Sequence, residues 1–153
     1  MLRSLVGSEM CIRDRFYCED IPQVLAECRR ALKNGGRFLC STYGKQHMRE
    51  ITDLVQQFHK EIVLSAEVLY ERFGLENGEN LLAPYFPEIQ MRRYEDAIEI
   101  AEAEPLISYI LSCHGNQNQL LLNQYKEFRE FVSARVADGF HITKDAGIFL
   151  CRK

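Results

Sequence analysis

The stretch DIPQVLAECRRALKNGGRFLCSTYG, Asp20–Gly44, decides the fold. Asp20 can accept hydrogen bonds from the first free amides of a helix, Pro22 stands in the first turn, and Gln23 follows three residues on, the capping-box position. Val24, Leu25, Cys28, Ala31 and Leu32 then recur at helical spacing. Asn34-Gly35-Gly36 ends that helix, because glycine takes the left-handed conformation without a Cβ clash. Phe38-Leu39-Cys40 comes directly after, and a short apolar run behind a glycine turn predicts a buried strand. Helix, glycine turn and buried strand form the second half of a βαβ unit, with Phe16-Tyr17-Cys18 as the tail of the strand before it. The fold class read from this stretch is α/β.

Working outward, Met48, Ile51, Leu54, Val55, Phe58 and Ile62 stripe one face of a helix. Ser65 caps a shorter helix that runs through Phe73, and 74–84 is turn-rich with a single helical turn at 79–83. Ile89 to Ile100 alternates as a strand does, with an interruption expected at Glu95-Asp96. Pro105 starts a helix carrying Leu106, Ile107, Ile110 and Leu111 that stops by Gly115. Leu121, Tyr125, Phe128, Val132 and Val136 stripe one long helix that stops at Gly139. Strand segments are expected at Phe140–Ile142 and Gly147–Cys151, on either side of Lys144-Asp145-Ala146.

A length of 153 residues fits one ordinary domain, and two independent cores are not expected. The net charge, 19 − 22 = −3, gives no pull on nucleic acid, so no nucleic-acid partner is expected. No apolar run reaches the length needed to cross a bilayer, so no membrane partner is expected either. The six cysteines, Cys11, Cys18, Cys28, Cys40, Cys113 and Cys151, include no C-x-x-C pair and no Cys/His cluster at zinc spacing. They read as reduced thiols in a cytoplasmic protein without a metal, with Cys28, Cys40 and Cys151 as small core residues. Residues 1–15, MLRSLVGSEMCIRDR, show neither helical nor strand periodicity. SLVGSEMCIRDR resembles a translated sequencing-adapter read-through, which makes 1–15 a non-native or disordered leader and 16–153 the domain proper.

Asp20–Gly44 resembles the class I S-adenosylmethionine-dependent methyltransferases. In that family a strand, the fourth, ends in a short loop containing Asp or Pro. A helix, an L-K-P-G-G turn and the fifth strand follow. Leu32-Lys33-Asn34-Gly35-Gly36-Arg37-Phe38 matches the turn, with Asn34 in place of proline. STYGKQHM (Ser41–Met48), RFGLENG (Arg72–Gly78), RRYEDAIEI (Arg92–Ile100) and ITKDAGIFLC (Ile142–Cys151) are similar to one bacterial branch acting on small molecules. The resemblance implies the carboxyl-terminal half of a Rossmann-like methyltransferase fold. Its sheet would be mixed, with the last strand between two others and antiparallel to both, and helices on both faces. It also implies a lid or acceptor-specificity insertion at about 44–88.

The departure from the family is large. A glycine-rich loop lets the backbone approach the methyl donor, and an acidic residue accepts from its ribose, by the logic of dinucleotide sites. The nine glycines include no G-x-G pair. The parent protein is therefore expected to be a methyltransferase using S-adenosyl-L-methionine on a small-molecule acceptor, and this chain alone to be inactive.

By the same resemblance, Tyr17 and Cys18 at the end of the fourth strand touch the methionine portion of the donor, Tyr17 offering an aromatic face to the sulfonium. Ser41, Thr42 and Tyr43 at the end of the fifth strand could line the acceptor pocket or simply make turn hydrogen bonds. His47 is the candidate general base, against a helix-start polar residue. Glu95 and Asp96 read as a solvated strand bend, and His59, His114 and His141 as surface residues. The rival enzyme class, a nucleotide-dependent oxidoreductase with Tyr-x-x-x-Lys, fails because no tyrosine has lysine at that spacing. A non-catalytic α/β interaction module is the other alternative.

Overall fold

The computed structural model describes residues 9–11, 20–65 and 69–153. They fall into two compact units. Unit 1 contains the chain up to Lys45, Leu69–Tyr94 and Asp145–Lys153; unit 2 contains Gln46–Val68 and Glu95–Lys144. Two separate clusters of buried side chains match this division, where the length predicted one core. The expected 44–88 insertion is also divided, since 46–68 belongs to unit 2 and 69–88 to unit 1.

In unit 1, α1 (Ile21–Ala31) starts as expected: Asp20 accepts a 2.8 Å hydrogen bond from the Gln23 amide, and Pro22 lies in the first turn. The end differs slightly. Leu32 is already extended, and the left-handed residue is Gly35, with φ 74°, inside the following turn. That turn is held from the far end of the chain. Gly35 N–H donates to the Lys153 carbonyl, and Lys153 N–H to that of Gly36, at 3.1 and 3.0 Å. Replacing Asp20 by alanine leaves the Gln23 amide uncapped, and is expected to lower unfolding free energy by about 1 kcal/mol; a urea melt checks it.

After the turn comes β2 (Arg37–Tyr43), whose Phe38, Cys40 and Thr42 are buried at period two. Phe38–Tyr43 pair antiparallel with the end of β4 (Phe140–Arg152), in the register Phe38↔Cys151 to Tyr43↔Ala146. The third long strand is β3 (Glu88–Ile100). The sheet order is β1-β2-β4-β3, so the last strand of the chain lies between β2 and β3. Arg152 meets Glu88, and Gly147 lies against Arg92 and Arg93, so β4 runs antiparallel to β3 as well. The placement of the closing strand is thus as expected.

The three long strands form an open antiparallel sheet rather than the mixed one expected. The parallel pairing among the described residues is confined to β1 (Glu9–Cys11), which lies beside Arg37–Leu39. β1 falls within the stretch read as a leader, and three residues are too few to show a period. The preceding strand had been placed at Phe16-Tyr17-Cys18, which lies outside the described residues. Both strand interruptions are absent, because β3 runs unbroken through Glu95-Asp96 and β4 through Lys144-Asp145-Ala146.

Among the described residues of unit 1, the helices contribute to one face of the sheet, where both faces were expected to be covered. Leu25 and Cys28 from α1, Leu32 just after it, Phe73 from α3 (Leu69–Phe73), Leu82 from α4 (Gly78–Leu82), and Phe86 all join one cluster with Phe38, Cys40, Phe149 and Cys151. The period-two set on β2 and β4 gives one fully apolar face, and the helical side chains converge on it. The opposite face, with Leu39, Ser41, Tyr43, Ile148 and Leu150, stays half-buried or exposed. Ser65 cannot be judged as a cap for α3, since 66–68 lie outside the described residues.

In unit 2, α2 (Arg49–Phe58) buries Ile51, Leu54 and Val55. These pack with Leu106, Ile107 and Ile110 of α5 (Ala103–Ser112) and Phe128, Val132 and Val136 of α7 (Tyr125–Val136). Ile62 joins this core from beyond the helix. Met48 and Phe58 also pack against this core, so every residue of the stripe contributes to it. The long helix expected through Leu121 is broken: α6 (Gln117–Leu121) stops, Leu122 is 76 % exposed, and α7 begins at Tyr125.

Candidate functional site

In open α/β sheets, ligands bind beyond the carboxyl ends of the parallel strands, which directs attention to the end of β2. There Gly44 N–H donates to the Asp145 carbonyl at 3.0 Å, and Leu75 N–H to that of Tyr43 at 3.3 Å. Three charged side chains meet at this corner of unit 1. Arg93 from β3 places Nε 2.8 Å from Asp145 Oδ1 and Nη2 3.1 Å from Glu76 Oε1. The Lys45 amide also donates to Glu76 Oε1, at 3.1 Å. Asp145 is the buried member, its side chain 7 % exposed, against 39 % for Arg93 and 46 % for Glu76.

Gly44 leaves room here, because a Cβ at that position would crowd both carboxylates. The loop carrying Glu76 is held by Asn77, whose Oδ1 accepts from Gly74 N–H at 2.7 Å and whose Nδ2 donates to the Glu71 carbonyl at 2.6 Å. Beside the cluster is a cleft of about 230 Å³ lined by Lys45, Tyr70, Glu71, Glu76 and Asn77. One lysine against two carboxylates gives that cleft an acidic wall.

Arg93 gives the buried Asp145 its counter-charge. Arg93→Met keeps the stem and removes the charge, so the carboxylate is left buried without that partner. Breaking a buried pair costs about 3–5 kcal/mol, but the exposure of Arg93 and Glu76 admits water and screening. The expected loss is about 2 kcal/mol, read as a lower urea midpoint at unchanged slope.

Thr42 is buried and its hydroxyl donates to the Phe73 carbonyl at 2.6 Å, a long-range bond rather than a turn bond. Ser41 is exposed and Tyr43 half-buried on the other face of β2. His47 belongs to unit 2 and is half-buried in a turn, two residues before α2 rather than at its start. His59, His114 and His141 also belong to unit 2, so the corner in unit 1 contains no histidine. Tyr17 and Cys18 lie outside the described residues.

Unit 2 has its own cleft, about 330 Å³, lined by Glu50, Asp53, Leu54, Gln57, Arg135 and Phe140. Burial works to raise the Glu50 pKa. Hydrogen bonds from the Thr143 hydroxyl and amide, at 2.5 and 3.1 Å, outweigh it, and the net shift is downward. Its charged form is therefore committed to Thr143. Arg135 is likewise engaged, with Gln57 Oε1 at 2.5 Å and the Phe131 ring at 4.9 Å. His141 is raised chiefly by its hydrogen bond to Glu99, at the exposed edge of the same unit.

Among the described residues no group of His, Cys, Asp and Glu could hold a metal ion, and no helix is long and apolar enough to cross a membrane. Cys28, Cys40, Cys113 and Cys151 are free thiols, and three of them are buried as expected. The described residues do not fit the methyl donor. The cleft at the end of β2 is smaller than the roughly 300–1,000 Å³ usual for ligand pockets, and no G-x-G loop exists to approach a sulfonium nucleoside.

Sequence reasoning did not single out Glu76, Arg93 or Asp145 as site residues. The signal was nevertheless present. Gly44 lies in STYGKQHM, Glu76 in RFGLENG, Arg93 in RRYEDAIEI and Asp145 in ITKDAGIFLC. Each of the four downstream motifs supplies one member of the same cluster.

No family model matches this chain, and no curated protein matches it in sequence.

Proposed function

We propose that this chain is the carboxyl-terminal half of a class I S-adenosyl-L-methionine-dependent methyltransferase acting on a small-molecule acceptor in the cytoplasm. The observation that carries the proposal is the meeting of four motifs, separated by up to a hundred residues, in one charged corner at the carboxyl end of β2. The order β1-β2-β4-β3 supports it: a short strand parallel to β2 on one side, and a closing strand antiparallel to both neighbours on the other. In this reading the cleft beside Glu76 belongs to the acceptor side. Its acidic wall suits an acceptor carrying a positive or hydrogen-bond-donating group, and the protein's part is alignment and exclusion of water.

Donor binding is assigned to sequence outside this chain, and the chain alone is inactive. The genomic sequence upstream of the Phe16 codon tests this. A glycine-rich loop about 60–100 residues earlier, in frame, is the expected result. An in-frame upstream sequence without such a loop overturns the proposal.

A further inference from the structure

β3 is a 13-residue strand at the end of the sheet order, with one long edge unpaired by any strand among the described residues. Residues 90–99 are all exposed, on both faces, including Met91, Tyr94 and Ile98 at 42 %, 66 % and 39 %. The strand contains no proline, glycine or lysine, the residues that commonly blunt an edge. It is one continuous element, so its pairing properties follow from its own sequence.

That sequence is charge-symmetric about its middle. Arg92-Arg93-Tyr94-Glu95-Asp96 reads plus, plus, neutral, minus, minus. We infer that β3 pairs antiparallel with β3 of a second copy of this chain, about a two-fold axis at Tyr94. A two-fold axis normal to a continuous sheet keeps each residue on its own face, so residues of like parity stand opposite one another. With Tyr94 on the axis, Arg92 faces the partner's Asp96, a contact that occurs twice, while Arg93, its guanidinium held by Asp145 and Glu76, stands opposite the partner's Glu95 with no like charge against it. Moving the axis to 93 or 95 puts arginine on arginine or glutamate on glutamate, which costs stability. Charge symmetry thus selects the occupant, a second copy, and the register together. On the same register Met91 faces the partner's Ala97. The two Tyr94 rings meet at the axis, where aromatic side chains add to cross-strand pairing. Arg92 and Asp96 have no ion pair among the described residues, so both are available to a mate.

The experiment uses the full chain with four variants, followed by sedimentation equilibrium and by non-reducing gels. Wild type is expected to be a dimer. Arg92→Glu sets like charges against Asp96 twice and should weaken dimerisation about tenfold. R92E combined with D96R restores opposite charges and should recover it. Tyr94→Cys on the axis brings two thiols within disulfide reach and should cross-link under mild oxidation. Ala97→Cys, six residues from its own mate, should not. A monomeric wild type overturns the inference. So does a double variant no tighter than R92E, or a Tyr94→Cys chain that cross-links no better than Ala97→Cys.

Discussion

Replacing Phe149 by alanine is expected to lower unfolding free energy by about 3–5 kcal/mol. The ring is fully buried, lies edge-on to Phe73 with centroids 5.9 Å apart, and sits opposite Cys40 in the β2–β4 ladder. It also fills the space over Gly78, where an added Cβ would strike the ring. Truncation therefore removes the group around which β4, β2, α3 and α4 close. The neighbours can collapse little, because Phe38 is stacked on Phe86 at 5.2 Å in the same core. A Phe149→Leu variant keeps most of the volume and should recover more than half of the loss. Equal effects from leucine and alanine would show that the site tolerates a void.

Gly115→Ala is expected to cost about 3 kcal/mol, at the upper end for overpacking. At Gly44 and Gly78 an added Cβ would meet side-chain atoms. A Cβ on Gly115 instead meets the backbone of Val63 and Leu64. That backbone is pinned: Asn116 N–H donates to the Val63 carbonyl at 3.0 Å, Val63 N–H to Asn116 Oδ1 at 2.8 Å, and Asn116 Nδ2 to the Glu61 carbonyl at 2.8 Å. Moving Val63 to admit a methyl group breaks this clamp in unit 2. Truncating the Val63 side chain should not rescue the variant, because the obstacle is main chain. Rescue by Val63→Ala in a urea melt would contradict the argument.

Local signals in the sequence carried α1 and β2, since an Asp20 cap and a glycine turn act within a few residues. The existence of β3 as a strand and the placement of β4 were also legible. The continuity of both strands was not. Glu95-Asp96 and Lys144-Asp145-Ala146 resemble turns, yet β3 is exposed throughout, where charged side chains remain solvated at little cost. The break between α6 and α7 carries no glycine or proline, and Leu120-Leu121-Leu122 reads as unbroken apolar periodicity. The two cores were hidden because unit 2 is assembled from 46–68 and 95–144, segments interleaved with those of unit 1. The charged corner was hidden for a similar reason. Arg93 and Asp145 are 52 residues apart, and nothing local to either announces the other. What the sequence did offer was a set of ordered motifs, and the fold brings one residue of each to a single place.

The methyltransferase assignment is tested most directly by calorimetric titration of S-adenosyl-L-methionine, both into this chain alone and into the chain joined to its natural upstream coding sequence. The account predicts no measurable heat of binding for the chain alone and micromolar affinity for the joined protein. Micromolar binding by the chain alone would contradict the division of donor and acceptor sides, and no binding by the joined protein would contradict the assignment itself.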